Sequence, residues 1–127
     1  MKVINVVAAI VIDDGKIFAT QRGYGEFAGG WEFPGGKIET GETSQEALVR
    51  ELREELNMDV HVGRLFERVE YDYPNFHLTM ECFLCTMKSD SYILKEHKAA
   101  KWIAPTNLDD VDWLPADIGV VEKLKLS

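Results

Sequence analysis

The chain has 127 residues, of which 46% are hydrophobic and 28% charged, proportions that suit one globular domain with a buried core. Its formal net charge of -8 excludes the basic footprint that a nucleic-acid-binding surface needs. The same charge repels a phosphorylated small molecule, so an anionic ligand would require cations as a bridge.

The apolar run Val3–Ile12 is far short of the ~20 residues that cross a membrane as a helix. Asp13, Asp14 and Gly15 then turn the chain, so this run and Lys16–Gln21 are expected to form a hairpin around Asp14-Gly15 rather than a secretory leader. A glycine-rich loop from Gly23 to Gly30 follows, then Trp31-Glu32-Phe33-Pro34-Gly35-Gly36-Lys37. That stretch is not a P-loop, because Ile38 stands where the Ser or Thr after the lysine belongs.

The clearest helix comes next. Thr43 and Glu46 have the spacing of a capping box, Ala47, Leu48, Leu52 and Leu56 supply an apolar stripe, and the helix should end near Asn57. Val60–Tyr73 and Phe76–Met87 read as two long strands joined at Pro74-Asn75, and Ala99–Ile103 as a short one. Pro115 opens a final helix whose apolar face is expected from Ile118, Val121, Leu124 and Leu126. Strands on both sides of a central helix, with another helix at the end, indicate an α+β chain whose mixed sheet is covered on both faces. No repeat or linker divides it, so residues 1–127 are read as a single domain.

Cys82 and Cys85 are the only cysteines. Their C-x-x-C spacing could mark half a zinc or redox site, but no second pair completes it, and the pair lies within an apolar strand-like run. Two buried strand thiols are the better reading. They suit a reducing compartment, and we expect a cytoplasmic protein.

Glu51, Glu54 and Glu55 stand at i, i+3 and i+4 and project from one side of the central helix. Such a face can simply be solvated, with Glu46, Arg50 and Glu54 laddered as ion pairs. It can also hold metal. Magnesium prefers oxygen ligands, keeps several waters, and is typically bound by a few carboxylates together with substrate phosphates. That arrangement would let a protein of net charge -8 accept a polyphosphate.

The residues before the helix extend the pattern. From Gly36 the chain reads Gly-Lys-Ile-Glu-Thr-Gly-Glu42, then seven residues, then Arg50-Glu51-Leu52-Arg53-Glu54-Glu55-Leu56-Asn57-Met58. This resembles the Nudix box, G-x5-E-x7-R-E-U-x-E-E-x-G-U, in every specified position of 36–58 except the last glycine, which is Asn57. Asparagine tolerates the left-handed turn that ends such a helix. Trp31–Glu39, Tyr71-Asp-Tyr-Pro, His77-Leu-Thr and Leu114-Pro-Ala-Asp117 resemble the MutT-like branch of the Nudix hydrolases, which includes 8-oxo-dGTP diphosphatases and CTP pyrophosphohydrolases.

The resemblance implies the Nudix fold, an α/β/α sandwich with a central mixed sheet. It also implies magnesium-dependent cleavage of a nucleoside triphosphate to the monophosphate and pyrophosphate, with manganese able to replace magnesium. Glu51, Glu54 and Glu55 are then metal ligands, joined by a carbonyl of Gly35 or Gly36 and by Glu96. Glu51 and Glu96 are the candidates for activating water, and Arg50 and Glu42 pair to lock loop against helix. Arg22 and Lys37 are candidate phosphate contacts, although Arg22 could equally be solvated.

Phe33, Tyr73 and Phe76 are candidates to line a base pocket or, alternatively, core residues. Asp117 stands where 8-oxoguanine-specific relatives carry asparagine. As an ionised acceptor it would suit the exocyclic amino group of cytosine, and it would serve a guanine carbonyl only if protonated. It could also cap the first turn of the last helix. The expected partner is a nucleotide, without nucleic acid or membrane, and the chain could act as a monomer or homodimer. Competing readings are a Nudix hydrolase of ADP-ribose or a dinucleotide, a nucleotide-sensing module without activity, and an acidic interaction protein.

Overall fold

The computed structural model describes residues 2–95 and 97–126. In chain order these form β1 (Lys2–Asp13), β2 (Lys16–Gln21), β3 (Trp31–Glu32), β4 (Gly35–Lys37), α1 (Ser44–Leu56), β5 (Val60–Tyr73), β6 (Phe76–Met87), β7 (Ala99–Ile103), a 3-10 turn (Pro105–Asp110) and α2 (Pro115–Lys125).

β1 organises the molecule. Along one edge it runs parallel to β6, from Lys2 opposite Phe76 to Val11 opposite Cys85. Its other edge is shared: β4 pairs antiparallel with Val6–Ala8, and β2 with Ile12 and Asp13. β5 extends the sheet antiparallel beyond β6, while β3 and β7 both pair with β2. One parallel pairing among antiparallel ones makes the sheet mixed.

Alternation along β1 divides the core into two layers. Val7, Ala9 and Val11 face α1, joining Ala47, Leu48, Leu52 and Leu56. Ala8 and Ile10 face the other way, toward Ala116, Val120, Val121 and Leu124 of α2. Each fully buried leucine of α1 stabilises the fold by roughly 1.5–3 kcal/mol. The helix ends are secured locally. Thr43 accepts the Glu46 amide, the Glu46 side chain accepts the Thr43 amide, and Asn57 adopts φ 50° with its N–H turned to the carbonyls of Arg53 and Leu52. The asparagine that departs from the glycine of the box therefore makes the left-handed stop itself.

Three sequence expectations are refined. β3 and β4 were not anticipated. On α2, Val121 and Leu124 are buried as expected, but Ile118 is 50% and Leu126 89% exposed. Ala116, Asp117 and Val120 supply the remainder of the buried face. The cysteines are buried and free, and they lie on opposite faces of β6, Cys82 in the α2 layer and Cys85 in the α1 layer. Residues three apart on a strand cannot share a ligand or a disulfide. Among the described residues, no helix is long and apolar enough to cross a membrane.

Candidate active site

Gly35 and Gly36 occupy the point where β4 crosses β1 beneath α1. A Cβ on Gly35 would strike the Val7 carbonyl, and one on Gly36 would strike the Glu51 carboxylate. Gly35 is therefore closed to any side chain by backbone, whereas a side chain at Gly36 would have to push the Glu51 carboxylate aside. The second contact places the backbone of β4 directly under a carboxylate of the helix.

Arg50 fixes the same corner. Its Nε and Nη2 donate to the two oxygens of Glu42 at 2.6 and 2.9 Å, and Nη2 also donates to the Lys37 carbonyl at 3.0 Å. Its Nη1 donates to Glu51 at 2.9 Å and to Glu54 at 3.1 Å. One planar guanidinium thus ties the loop before α1 to two carboxylates on it, using the fork geometry in which arginine differs from lysine. The Glu42 hydrogen bonds raise the Arg50 pKa, and the same contacts lower that of Glu42. Burial pushes the Glu51 carboxyl up, against the opposing pull of Arg50.

Two adjoining cavities open beside this corner. The outer one, about 490 Å³, is bounded by Glu51, Glu55, Gly36, Lys37, Arg22 and His97. The inner one, about 160 Å³, runs between β1, the β5–β6 turn and the start of α2, where Phe33, Tyr73, Phe76 and Asp117 meet. Arg22, Glu32, Gly35 and Gly36 border both. Arg22 is held there by Glu32, with Nε and Nη2 donating at 3.0 and 2.7 Å.

Most residues singled out from the sequence converge here. Glu54 does not, for its carboxylate is 60% exposed, engaged by Arg50, and borders an outer groove beside β5. Among the described residues no three His, Cys, Asp or Glu side chains are already gathered as a metal-binding group. Glu96 lies outside the described residues. Sequence reasoning missed Glu32 and His97. The neighbouring strand residue Trp31 gave no hint of Glu32's reach. His97, whose Nε2 is 3.7 Å from Glu55, sits on a segment without periodic signal.

The inner cavity differs from expectation in one respect. Phe33 is 3% exposed and stacks on Trp113 at 4.7 Å, so one ring face is already covered. Tyr73 and Phe76 stack at 4.9 Å, and the Tyr73 hydroxyl accepts the Ala116 amide at 3.2 Å. Asp117 is 4% exposed, and its Oδ1 has no hydrogen-bond partner. It lies in the first turn of α2, where the alternative reading puts it, but N-cap Leu114 has no side-chain cap. Desolvation raises the Asp117 pKa well above the carboxylate range, with Glu32 adding to the rise, while the Phe33 amide and Arg22 oppose it.

A carboxylate-bearing helix over a glycine turn, beside a cavity bordered by cations, coincides with a family-wide match. The NUDIX domain family matches residues 1–124. The chain belongs to that family. Nudix domains are generally divalent-metal-dependent hydrolases. This Nudix domain is 36% identical to the 8-oxo-dGTP diphosphatase of Escherichia coli K12, covering 98% of both chains. It is 38% identical to the CTP pyrophosphohydrolase of the same organism, covering 96% of this chain and 91% of the relative. The solution structure of a MutT protein from methicillin-resistant Staphylococcus aureus superimposes with a TM-score of 0.78 at 40% identity, covering 99% and 98% of the two chains. The mixed sheet flanked by α1 and α2 is the Nudix fold expected from the sequence.

Proposed function

We propose that this Nudix hydrolase cleaves a nucleoside triphosphate to the monophosphate and pyrophosphate, with the polyphosphate in the outer cavity and the base in the inner one. The observation that carries the reading is the seat of Glu51 over Gly36 at the junction of the two cavities. Glu51 lines the outer cavity and Gly36 borders both, which supports a carboxylate beside the phosphates of a triphosphate bound across them.

The donor set fits a divalent ion. Glu51 and Glu55 offer carboxylate oxygens, Gly35 and Gly36 add backbone carbonyls nearby, and no sulfur borders the outer cavity. These oxygen donors suit magnesium, and the imidazole of His97 at the same rim is compatible with manganese in its place. In the proposed assignment, Glu51, Glu54 and Glu55 hold the metal with a glycine carbonyl and Glu96. Glu54 would have to turn from Arg50 toward the cavity. When bound, the metal neutralises phosphate charge and makes a water more acidic.

The remaining steps belong to the chain. Arg22 and Lys37 offset the charge of the phosphate oxygens, and Arg50 with Glu42 keeps loop and helix aligned. Glu51 or Glu96 accepts the proton of the attacking water. Tyr73 and Phe76 wall the base site. Asp117, buried and biased toward its neutral form, can both donate and accept a hydrogen bond, as asparagine does. This supports recognition of a base edge bearing either a carbonyl or an amino group. The preference for cytosine that follows from an ionised Asp117 is thereby weakened. The two Escherichia coli relatives, similar to the same degree, carry both substrate names.

Purified protein incubated with CTP, 8-oxo-dGTP, ADP-ribose or a dinucleotide, with magnesium and then with EDTA, and its products separated by chromatography, tests the reading. A triphosphate gives monophosphate and pyrophosphate, ADP-ribose gives AMP and ribose phosphate, and a dinucleotide gives two nucleotides. Pyrophosphate release from a triphosphate that EDTA abolishes is expected. Turnover confined to ADP-ribose or the dinucleotide would overturn the substrate class. Magnesium-stimulated binding without any turnover would instead identify a sensing module. The buried, reduced thiols support placing the protein in the cytoplasm.

A further inference from the structure

The tip of the β5–β6 hairpin carries two cross-strand pairs on opposite faces. Tyr73 opposes Phe76 and their rings stack at 4.9 Å on the face that walls the inner cavity. Asp72 opposes His77 on the other face, one residue away along each strand. There the His77 ring is bound at both ends, Nδ1 at 2.6 Å from Asp72 and Nε2 at 2.7 Å from Glu70.

A neutral imidazole has one N–H and one lone pair. Placed between two carboxylates it would turn the lone pair on one of them toward an anionic oxygen. Only the imidazolium donates to both. The surroundings hold Glu70 in this position. Thr79 donates to it at 2.7 Å and Arg68 at 2.9 Å, and these contacts together with His77 bring its pKa down to about 2. His77 is correspondingly raised above the ordinary histidine range, first by Asp72 and then by Glu70.

Other neighbouring elements add little charge. β1 offers the uncharged Val3 opposite His77. On β6, Glu81 is occupied by Arg68 at 3.7 Å and by the hydroxyl of Ser44 at the start of α1.

We propose that His77 is a positioning residue for the base site: as an imidazolium bridging Asp72 and Glu70, it pins the hairpin tip from behind and keeps Tyr73 and Phe76 stacked in front. Loss of the ring proton removes one of the two bridges, which loosens the hairpin tip and lets the aromatic pair spread. The effect falls on substrate binding, since no atom of His77 borders either cavity. The assignment of a base to that wall rests on the proposed function, whereas the link between His77 and the stack does not.

NMR of the nucleotide-free protein separates the two. Both His77 ring nitrogens should carry protons at pH 7, and the contacts between the Tyr73 and Phe76 rings should fade over the pH range in which one proton is lost. His77→Gln should lack those contacts at every pH, while His77→Arg, a permanent cation with two donors, should keep them throughout. In turnover of CTP or 8-oxo-dGTP, the wild-type KM should rise several-fold across the same range with kcat steady. His77→Gln should show the high KM and His77→Arg the low one at all pH values. A ring already neutral at pH 7, ring contacts untouched in His77→Gln, or a loss in kcat in place of KM would each overturn the proposal. If no nucleotide is cleaved, the functional reading falls, and the NMR comparison still decides the clamp.

Discussion

Gly36 and Glu51 approach so closely that there is no room for a methyl group between the turn and the carboxylate. The contact joins the first residue of the box to a carboxylate on its helix, and together with Arg50 it limits where that carboxylate points.

Gly36→Ala should therefore displace Glu51 without unfolding the chain, because Gly36 is not among the positive-φ glycines and alanine can adopt its backbone. A shift of about 1 Å in a reacting group costs on the order of 100-fold in rate. The expected outcome is a kcat loss of that order with an unchanged far-ultraviolet circular dichroism spectrum. Wild-type kcat in the variant would detach Glu51 from the chemistry.

Arg50 distributes its donors among Glu42, Glu51 and Glu54, so its shape should matter as well as its charge. Arg50→Lys retains the cation and loses the fork, and the metal-supported rate should fall about 10- to 100-fold. Glu54→Gln removes a charge with little change in shape and should abolish magnesium-dependent turnover. Activity against magnesium concentration distinguishes the two: added metal should partly restore the lysine variant and leave the glutamine variant inactive.

Asp117 gives a stability prediction whose sign follows from burial. Its folded pKa lies above its unfolded value, so the stability it lends is complete below the unfolded carboxylate range. That stability is lost as pH rises through the folded value. The side-chain amide introduced by Asp117→Asn does not titrate in this way. The variant should therefore match wild type in acid and melt higher at neutral and alkaline pH, with about 1 kcal/mol appearing as a Tm difference of roughly 3–6 °C. The substrate ranking should also move, since a fixed amide replaces a titrating acid. Parallel melting curves from acid to pH 9 would contradict the buried, proton-holding state, and an unmoved ranking would remove Asp117 from base recognition.

Cys82 and Cys85 should be inert in the native state. Desolvation pushes the Cys85 thiol up to about 12 and the Cys82 thiol higher still, and the thiolate is the reactive form. Alkylation by iodoacetamide should label neither cysteine in native protein and both in denaturant. Rapid native labelling of either would show that β6 opens locally.

The parts legible from sequence are those with strong local rules. α1 announced itself through a capping box and a 3.6-residue apolar period, and β1, β5 and β6 through long apolar or alternating runs ended by Asp14-Gly15 and Pro74-Asn75. β3 and β4 were illegible because two or three residues, two of them glycine, carry no period. They exist because β2 and β1 offer edges to pair with.

The burial of Asp117 was hidden for a related reason. A charged residue in the first turn of a helix ordinarily faces water, and only the packing of α2 against the sheet encloses this one. For the site, charge and spacing pointed to Glu51 and Arg50 and offered the Arg50–Glu54 ion pair that the structure shows, but could not decide between that pair and a Glu54 turned to the cavity.

The parallel pairing of β1 with β6 also affects the order in which the molecule can be built. β1 finds its principal partner more than 70 residues further along the chain, so contacts of long sequence separation dominate the centre of the sheet. During translation, β4 and α1 can cover Val7, Ala9 and Val11 early, but the other edge of β1 stays unpaired until β6 has emerged. The inner cavity, whose wall includes Phe76, Leu78 and Met80 of β6, would then be completed after the corner that β4 and α1 form on β1. A ribosome stalled before β6 would display α1 and its carboxylates with no inner cavity beside them.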